Sequence, residues 1–252
     1  MGERKTKPFI AMNRIKNSQN DSGKEEEKMS SSLNRRSFLM SAGIATSLGA
    51  MAIACTDHDD VPPTDGATVD LGSGDVGVLN YAYALEQLEA AFYTQVIATP
   101  YTGISAAELS ILTDIRDHEI IHRDFFKAAL TAAAPTAIIP GLEVNFSAID
   151  FTSRASVLGT AKVFEDTGVA AYNGAGNLIK TADYLVLAGK IVSVEARHAS
   201  VIRDLLNPFS ADFAGDDVVD TNGLDKAIDP VTILAAVAPF LKTKVTGANV
   251  GK

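Results

Sequence analysis

Two short motifs carry the chemistry of this sequence, Glu119-Ile-Ile-His122 and Glu195-Ala-Arg-His198. On a helix, residues three apart stand one turn from each other on the same face, so each motif aims a carboxylate and an imidazole at a common point. Two further carboxylates stand in an equally regular relation to tyrosines. Glu86 precedes Tyr93, and Glu165 precedes Tyr172, by seven residues each. Seven residues is nearly two helical turns, which sets each Tyr above its Glu on one stripe. Mixed carboxylate and imidazole donors suit iron or manganese better than zinc, whose structural sites favour thiolate and imidazole.

The two sets repeat one another. Glu86 to Glu165 and Tyr93 to Tyr172 are offsets of 79, while Glu119 to Glu195 and His122 to His198 are offsets of 76, a difference that one small indel explains. Beyond residue 54 the chain holds 7 Glu, against 19 Asp, in 198 residues. A given His therefore has roughly a 3–4% chance of a Glu three positions before it, which makes two such pairs among four His a poor accident. Ile120 and Ile121 follow Glu119, and Val163 and Phe164 precede Glu165. Carboxylates on such surfaces face a core, where they are costly unless paired or bound to metal. Four of them converging repel one another, and a pair of divalent cations resolves that conflict.

Neighbouring residues need their own reading. Glu89, one turn from Glu86, is the rival ligand; the shared spacing to Tyr favours Glu86 and leaves Glu89 as a solvated group or one that supports the ligands from outside. Tyr93 and Tyr172 are candidate catalytic residues with a redox or hydrogen-bonding role, and core packing is the equal alternative. His118 and Arg197 point elsewhere on their helices and read as surface groups.

Helices must position these residues. One is expected from Val76 to about Ala98 with Asp75 as N-cap, and a second from Ser105, with the capping-box partner Glu108, to about Ala134 before Pro135. A third runs from about Ser153 to Lys180, and a fourth from Thr181 or Ala182 to Leu206, with Pro208 just beyond. Helices 1 and 2 are joined by about six residues and helices 3 and 4 by almost none, so each pair reads as an antiparallel hairpin. The apolar stretch 135–152 is then one long crossover between them, and the fold class is an all-α four-helix bundle. Residues 207–252 form an extension in which Pro230 to Leu241 is expected as a short helix and the tail to Lys252 as disordered.

This arrangement, a Glu from each of two helices and a Glu-x-x-His from each of the other two, resembles the ferritin-like di-iron carboxylate superfamily across residues 76–206. All six ligand types of that superfamily are present. The resemblance implies that Glu86 and Glu165 are terminal ligands, that Glu119 and Glu195 bridge two metals, and that His122 and His198 each cap one ion. It also favours two iron ions, with manganese as the alternative. The stretch LEQLEAAFY in helix 1 resembles exported ferritin-like proteins that include desiccation-related ones. Such a site could reduce O2 or peroxide while oxidising ferrous iron or another small donor in stress protection. The alternatives are a non-catalytic stress protein with structural metal and a manganese catalase-like peroxide scavenger. A homo-oligomer stays open, but a tethered N-terminus and a long C-terminal extension would crowd a closed storage cage.

Charge divides the chain. Residues 1–54 hold 9 Lys+Arg against 5 Asp+Glu, whereas the remainder holds 13 against 26 and the whole chain is −9. An acidic body of this kind excludes nucleic acid and anionic membrane surfaces as electrostatic partners. Arg35-Arg36-Ser-Phe-Leu, then the weakly apolar run Met40–Ala54 ending Ala52-Ile53-Ala54, resembles a twin-arginine export signal with a small-residue cleavage site. The only cysteine, Cys55, follows at once. Its readings are a lipidated first residue, which is favoured, and an incidental thiol beyond an ordinary cleavage site, because Ala52 stands where lipoprotein signals usually place Leu. The chain is thus expected in the periplasm or cell envelope, meeting membrane only through an anchor at Cys55. Residues 1–54 read as extension and signal, 55–74 as a flexible tether containing a solvated His58, 75–206 as the bundle and 207–252 as the extension.

Overall fold

The sequence from residue 74 onward sustains long helices because Pro is absent from each of its four apolar runs, and the helices end at caps or near Pro100, Pro135 and Pro208. The computed structural model describes residue 66 and residues 68–252. The twin-arginine pair, Cys55, His58 and most of the expected tether lie outside the described residues. Four long helices form: α1 (Gly74–Ala98), α2 (Ala106–Ala133), α3 (Arg154–Gly176) and α4 (Ala182–Leu206). α1 packs along α2 and α3 along α4 as two hairpins, and residues 135–152 cross between them. α1 is buried on nearly every side, from Val78 and Tyr81 through Phe92 and Val96, as an apolar central helix should be. No helix among the described residues is long and apolar enough to cross a membrane.

The ends of the helices show what fixes them. Ser105 caps α2, accepting from Glu108 N at 3.1 Å while the Glu108 carboxylate accepts from Ser105 N at 3.2 Å, the expected capping box. Glu108 also pairs with Arg154 at 2.7 Å, and Arg154 donates to the Leu205 carbonyl at 2.7 Å, clamping the starts of α2 and α3 to the end of α4. Asp75 is not the N-cap of α1. Ser73 holds that place, and the Asp75 carboxylate instead accepts from Lys180 N at 2.7 Å and Thr181 N at 2.8 Å, securing the start of α4. α3 stops at Gly176 rather than Lys180, so a short turn, not a bare junction, links it to α4.

The crossover is stitched down by two polar side chains of α1. Asn80 donates to the carbonyls of Ala137 at 2.7 Å and Leu71 at 3.1 Å and accepts from Ile139 N at 3.1 Å. Gln87, two turns on, accepts from Leu142 N at 2.8 Å. Phe146 and Phe151 of the crossover meet Phe92, each with ring centroids 6.0 Å apart.

Two expectations at the edges are corrected. The C-terminal tail is not disordered: beyond the expected short helix, here α5 (Pro230–Val237), strand β2 (Lys244–Thr246) pairs in parallel with β1 (Thr68–Asp70). The flexible tether therefore does not extend to residue 74, since Val69 and Leu71 are buried by this pairing. The sequence signal was weak because three-residue strands have no periodicity of their own and exist only through each other. At α3 a glycine is required: a Cβ on Gly174 would lie 1.8 Å from the Ile228 carbonyl oxygen, which reaches the helix because Ile228 N donates to Ala170 O at 3.0 Å.

Candidate metal centre

The interior of the bundle carries carboxylates and imidazoles where an ordinary core would be apolar. Glu86 from α1, Glu119 from α2, Glu165 from α3 and Glu195 from α4 are all fully buried, with His122 and His198 buried beside them. The six converge in two groups, Glu86–Glu119–His122–Glu195 and Glu119–Glu165–Glu195–His198, whose ligand atoms lie within 4.8 Å of one another. Glu119 and Glu195 belong to both groups. The geometry is close to twofold. His122 Nδ1 stands 2.8 Å from Glu195, 3.5 Å from Glu86 and 3.7 Å from Glu119. His198 Nδ1 stands 2.8 Å from Glu119, 3.6 Å from Glu165 and 3.6 Å from Glu195.

Short approaches do not make these hydrogen bonds. His122 Nδ1, His198 Nδ1, both oxygens of Glu119 and of Glu195, and one oxygen each of Glu86 and Glu165 are buried with no hydrogen-bond partner. Unsatisfied polar atoms in a core are rare and costly, so eight of them aimed at one another need a common partner. Cations satisfy all eight at once, and the donor set, carboxylate oxygen with imidazole nitrogen, is the set that iron and manganese accept. The residues fit a metal centre.

Electrostatics point the same way. Burial pushes the Glu86 carboxyl well above its ordinary value, and the nearby Glu195 adds to it. Glu165 is raised to about 8, first by burial and then by Glu119 and Glu195, against the pull of His198. Burial also opposes charge on Glu119, but His122 and His198 outweigh it and draw its pKa down to about 2. The rings answer in kind. Burial disfavours the imidazolium, yet Glu119, Glu195 and Glu86 raise His122 to about 12, and Glu119, Glu165 and Glu195 do the same for His198. Without metal, protons neutralise the cluster; a metal must displace them.

The tyrosines cross over. Tyr93 Oη donates to Glu165 Oε1 at 2.5 Å, and Tyr172 Oη donates to Glu86 Oε1, so each hairpin's Tyr holds the other hairpin's outer carboxylate. Burial, followed by these same carboxylates, raises both phenols well above their ordinary value and keeps their protons in place. The spacing alone set each Tyr above its own Glu; antiparallel α1 and α3 decide that the bond runs across.

Two neighbours differ from their sequence reading. Glu89 is not solvated: it is buried, though outside both ligand groups, and Gly168 gives it room, since a Cβ there would lie 3.0 Å from Glu89 Oε1. His118 is exposed as expected but does not point away from the centre. Its Nδ1 lies 2.9 Å from His198 Nε2, and the two rings meet edge to edge, 10° from parallel with centroids 5.2 Å apart. The available signal was the four-residue spacing to His122, which sets both on one side of α2.

Comparison with curated proteins of known function finds no match. A family model described as the ferritin-like domain matches residues 74–208, a span that contains all four long helices and all six converging ligands. With the bundle, its crossover and its buried carboxylate–imidazole cluster in agreement, the chain belongs to the ferritin-like domain family.

Proposed function

We propose that this is an exported ferritin-like protein whose bundle holds a dinuclear iron centre and uses it to oxidise ferrous iron or reduce O2 or peroxide in stress protection. The sharing of Glu119 and Glu195 by two otherwise separate ligand groups supports two ions rather than one. Glu119 and Glu195 would be shared by both ions, Glu86 with His122 would hold one, and Glu165 with His198 would hold the other. Bound iron supplies the redox electrons for reducing O2 or peroxide. The chain's own residues do the rest. Tyr93 and Tyr172 hold the outer carboxylates by hydrogen bonds, and their phenols are the nearest protein groups able to give up an electron and a proton together. Buried Phe92, against Tyr93, and Phe126, against Tyr172, help to exclude bulk water.

The export part rests on Arg35-Arg36, the apolar run to Ala54 and Cys55. On this reading the chain belongs to the periplasm or cell envelope with Cys55 as its lipid anchor rather than an incidental thiol, and the N-terminal residue and acylation of the mature protein test it. The centre is tested by metal analysis of protein purified from its native compartment, with ferrous-iron oxidation and peroxide consumption measured on the same sample. Two irons per chain with turnover is the expected result. Iron without turnover would reduce the metal to a structural role, manganese would replace the assignment of the metal, and absence of bound metal with no uptake would overturn the reading.

A further inference from the structure

The two hairpins match position for position at the six ligands, yet the atoms outside the ligands do not match. The offset of 76 that carries Glu119 to Glu195 and His122 to His198 carries His118 to Val194. An imidazole on one hairpin thus has an aliphatic twin on the other. His118 meets the far nitrogen of His198, with 2.9 Å between His118 Nδ1 and His198 Nε2. Among the described residues, no corresponding hydrogen bond reaches the far nitrogen of His122, and Val194 has no group that could make one.

Tautomer chemistry gives this contact a direction. His198 turns Nδ1 toward Glu119, Glu165 and Glu195, so a ligating His198 carries its proton on Nε2. Nε2–H then donates to the Nδ1 lone pair of His118, which leaves the proton of His118 on its Nε2. With the rings 10° from parallel and their centroids 5.2 Å apart, this bond runs nearly in the plane of both imidazoles, so turning His198 about its last side-chain bond breaks it. Outer hydrogen bonds of this type fix the ring orientation and the basicity of a ligating imidazole.

We infer that His118 is a positioning residue that orients His198 for metal, making the two positions of the centre unequal, with the Glu165–His198 position filling first and the Glu86–His122 position second. This inference rests on the dinuclear reading above. His118 touches no reacting atom, and its exposure means that replacing it leaves the core packing intact.

The test is anaerobic calorimetric titration of metal-depleted full chain with ferrous iron, for wild type, H118V and H118N. Val is the residue of the twin position. Asn places an amide atom close to the position of Nδ1 and can accept the same hydrogen bond. Wild type is expected to bind in two distinguishable steps. H118V should weaken the tighter step by about 10–100-fold and leave the other unchanged, the usual cost of losing such an outer partner. H118N should restore most of that loss. An H118V isotherm that superimposes on wild type, equal weakening of both steps, or H118N no better than H118V would each overturn the inference while leaving the centre itself standing. A wild-type chain that takes up no iron would overturn the metal-centre reading, and this one with it.

Discussion

Replacing Arg203 with Met tests whether the second hairpin is held by one buried guanidinium. Arg203 is 3% exposed in α4, five residues beyond His198. Its Nε and Nη2 donate to Asp166 at 2.7 and 2.8 Å, its Nη1 and Nη2 donate to Asp217 at 2.9 and 2.8 Å, and Nη1 also reaches the Asp212 carbonyl at 3.0 Å. Asp166 follows Glu165 on α3, so this one side chain ties α4 both to α3 beside the metal centre and to the segment 212–217. The Asp217 side chain is 58% exposed. That pair is screened by solvent and is worth about 0.2–1 kcal/mol. The Asp166 side chain is only 20% exposed. Its two charge-assisted hydrogen bonds add about 1.5–3 kcal/mol together after discounting for that exposure. Met fills similar space without charge, so R203M should lose about 2–3 kcal/mol in all, or about 5–10 °C in Tm for a domain of this size. The assay is thermal unfolding by far-UV circular dichroism in chelator, so that metal does not compensate. Acid supplies a second readout. Hydrogen bonds from Arg203 hold the Asp217 carboxyl below the ordinary Asp range, so its contribution is present above the unfolded-state pKa and is lost as pH falls through the lowered one. The gap between wild type and R203M should be full at neutral pH and narrow below about pH 4. A variant that melts within about 1 °C of wild type, or a gap that does not change in acid, would refute this account.

Three further outcomes are expected. Glu165→Gln should weaken ferrous-iron binding by at least about tenfold while leaving the metal-free bundle as stable as wild type at neutral pH, because a Glu165 pKa of about 8 means that this carboxyl already carries a proton there; iron uptake and melting in chelator report the two halves. Gly174→Ala should cost more than about 2 kcal/mol and expose the C-terminal extension to limited proteolysis, since its Cβ would lie 1.8 Å from Ile228 O. Asn80→Ala removes three hydrogen bonds to the backbone of residues 71, 137 and 139, and urea unfolding should show a loss of about 2–3 kcal/mol.

Much of this protein is legible from its sequence because the information is periodic. A Glu-x-x-His pair commits both side chains to one face of a helix whatever surrounds it, and the repeat of the Glu and Tyr positions names the matching helices. Ser105 with Glu108 likewise marks a helix start from local hydrogen bonding alone, and the capping box is found there. The scarcity of Pro and the connection lengths then suffice for two hairpins and a crossover. What escaped depends on distance in space rather than on spacing in the chain. Asp75 looks like a cap for its own helix, but its carboxylate reaches residues 180 and 181, more than a hundred positions away. The strands at 68–70 and 244–246 are too short to show a pattern, and each exists only because the other lies beside it. Glu89 is buried because Gly168 lacks a side chain at the point of contact, a fact about the partner helix that no local pattern at Glu89 could carry. His118 shares a side of α2 with His122 by its four-residue spacing, but only the packing of α4 against α2 brings His198 Nε2 to it at 2.9 Å. Local spacing decides which residues share a face, and only the packing of one helix on another decides what that face meets.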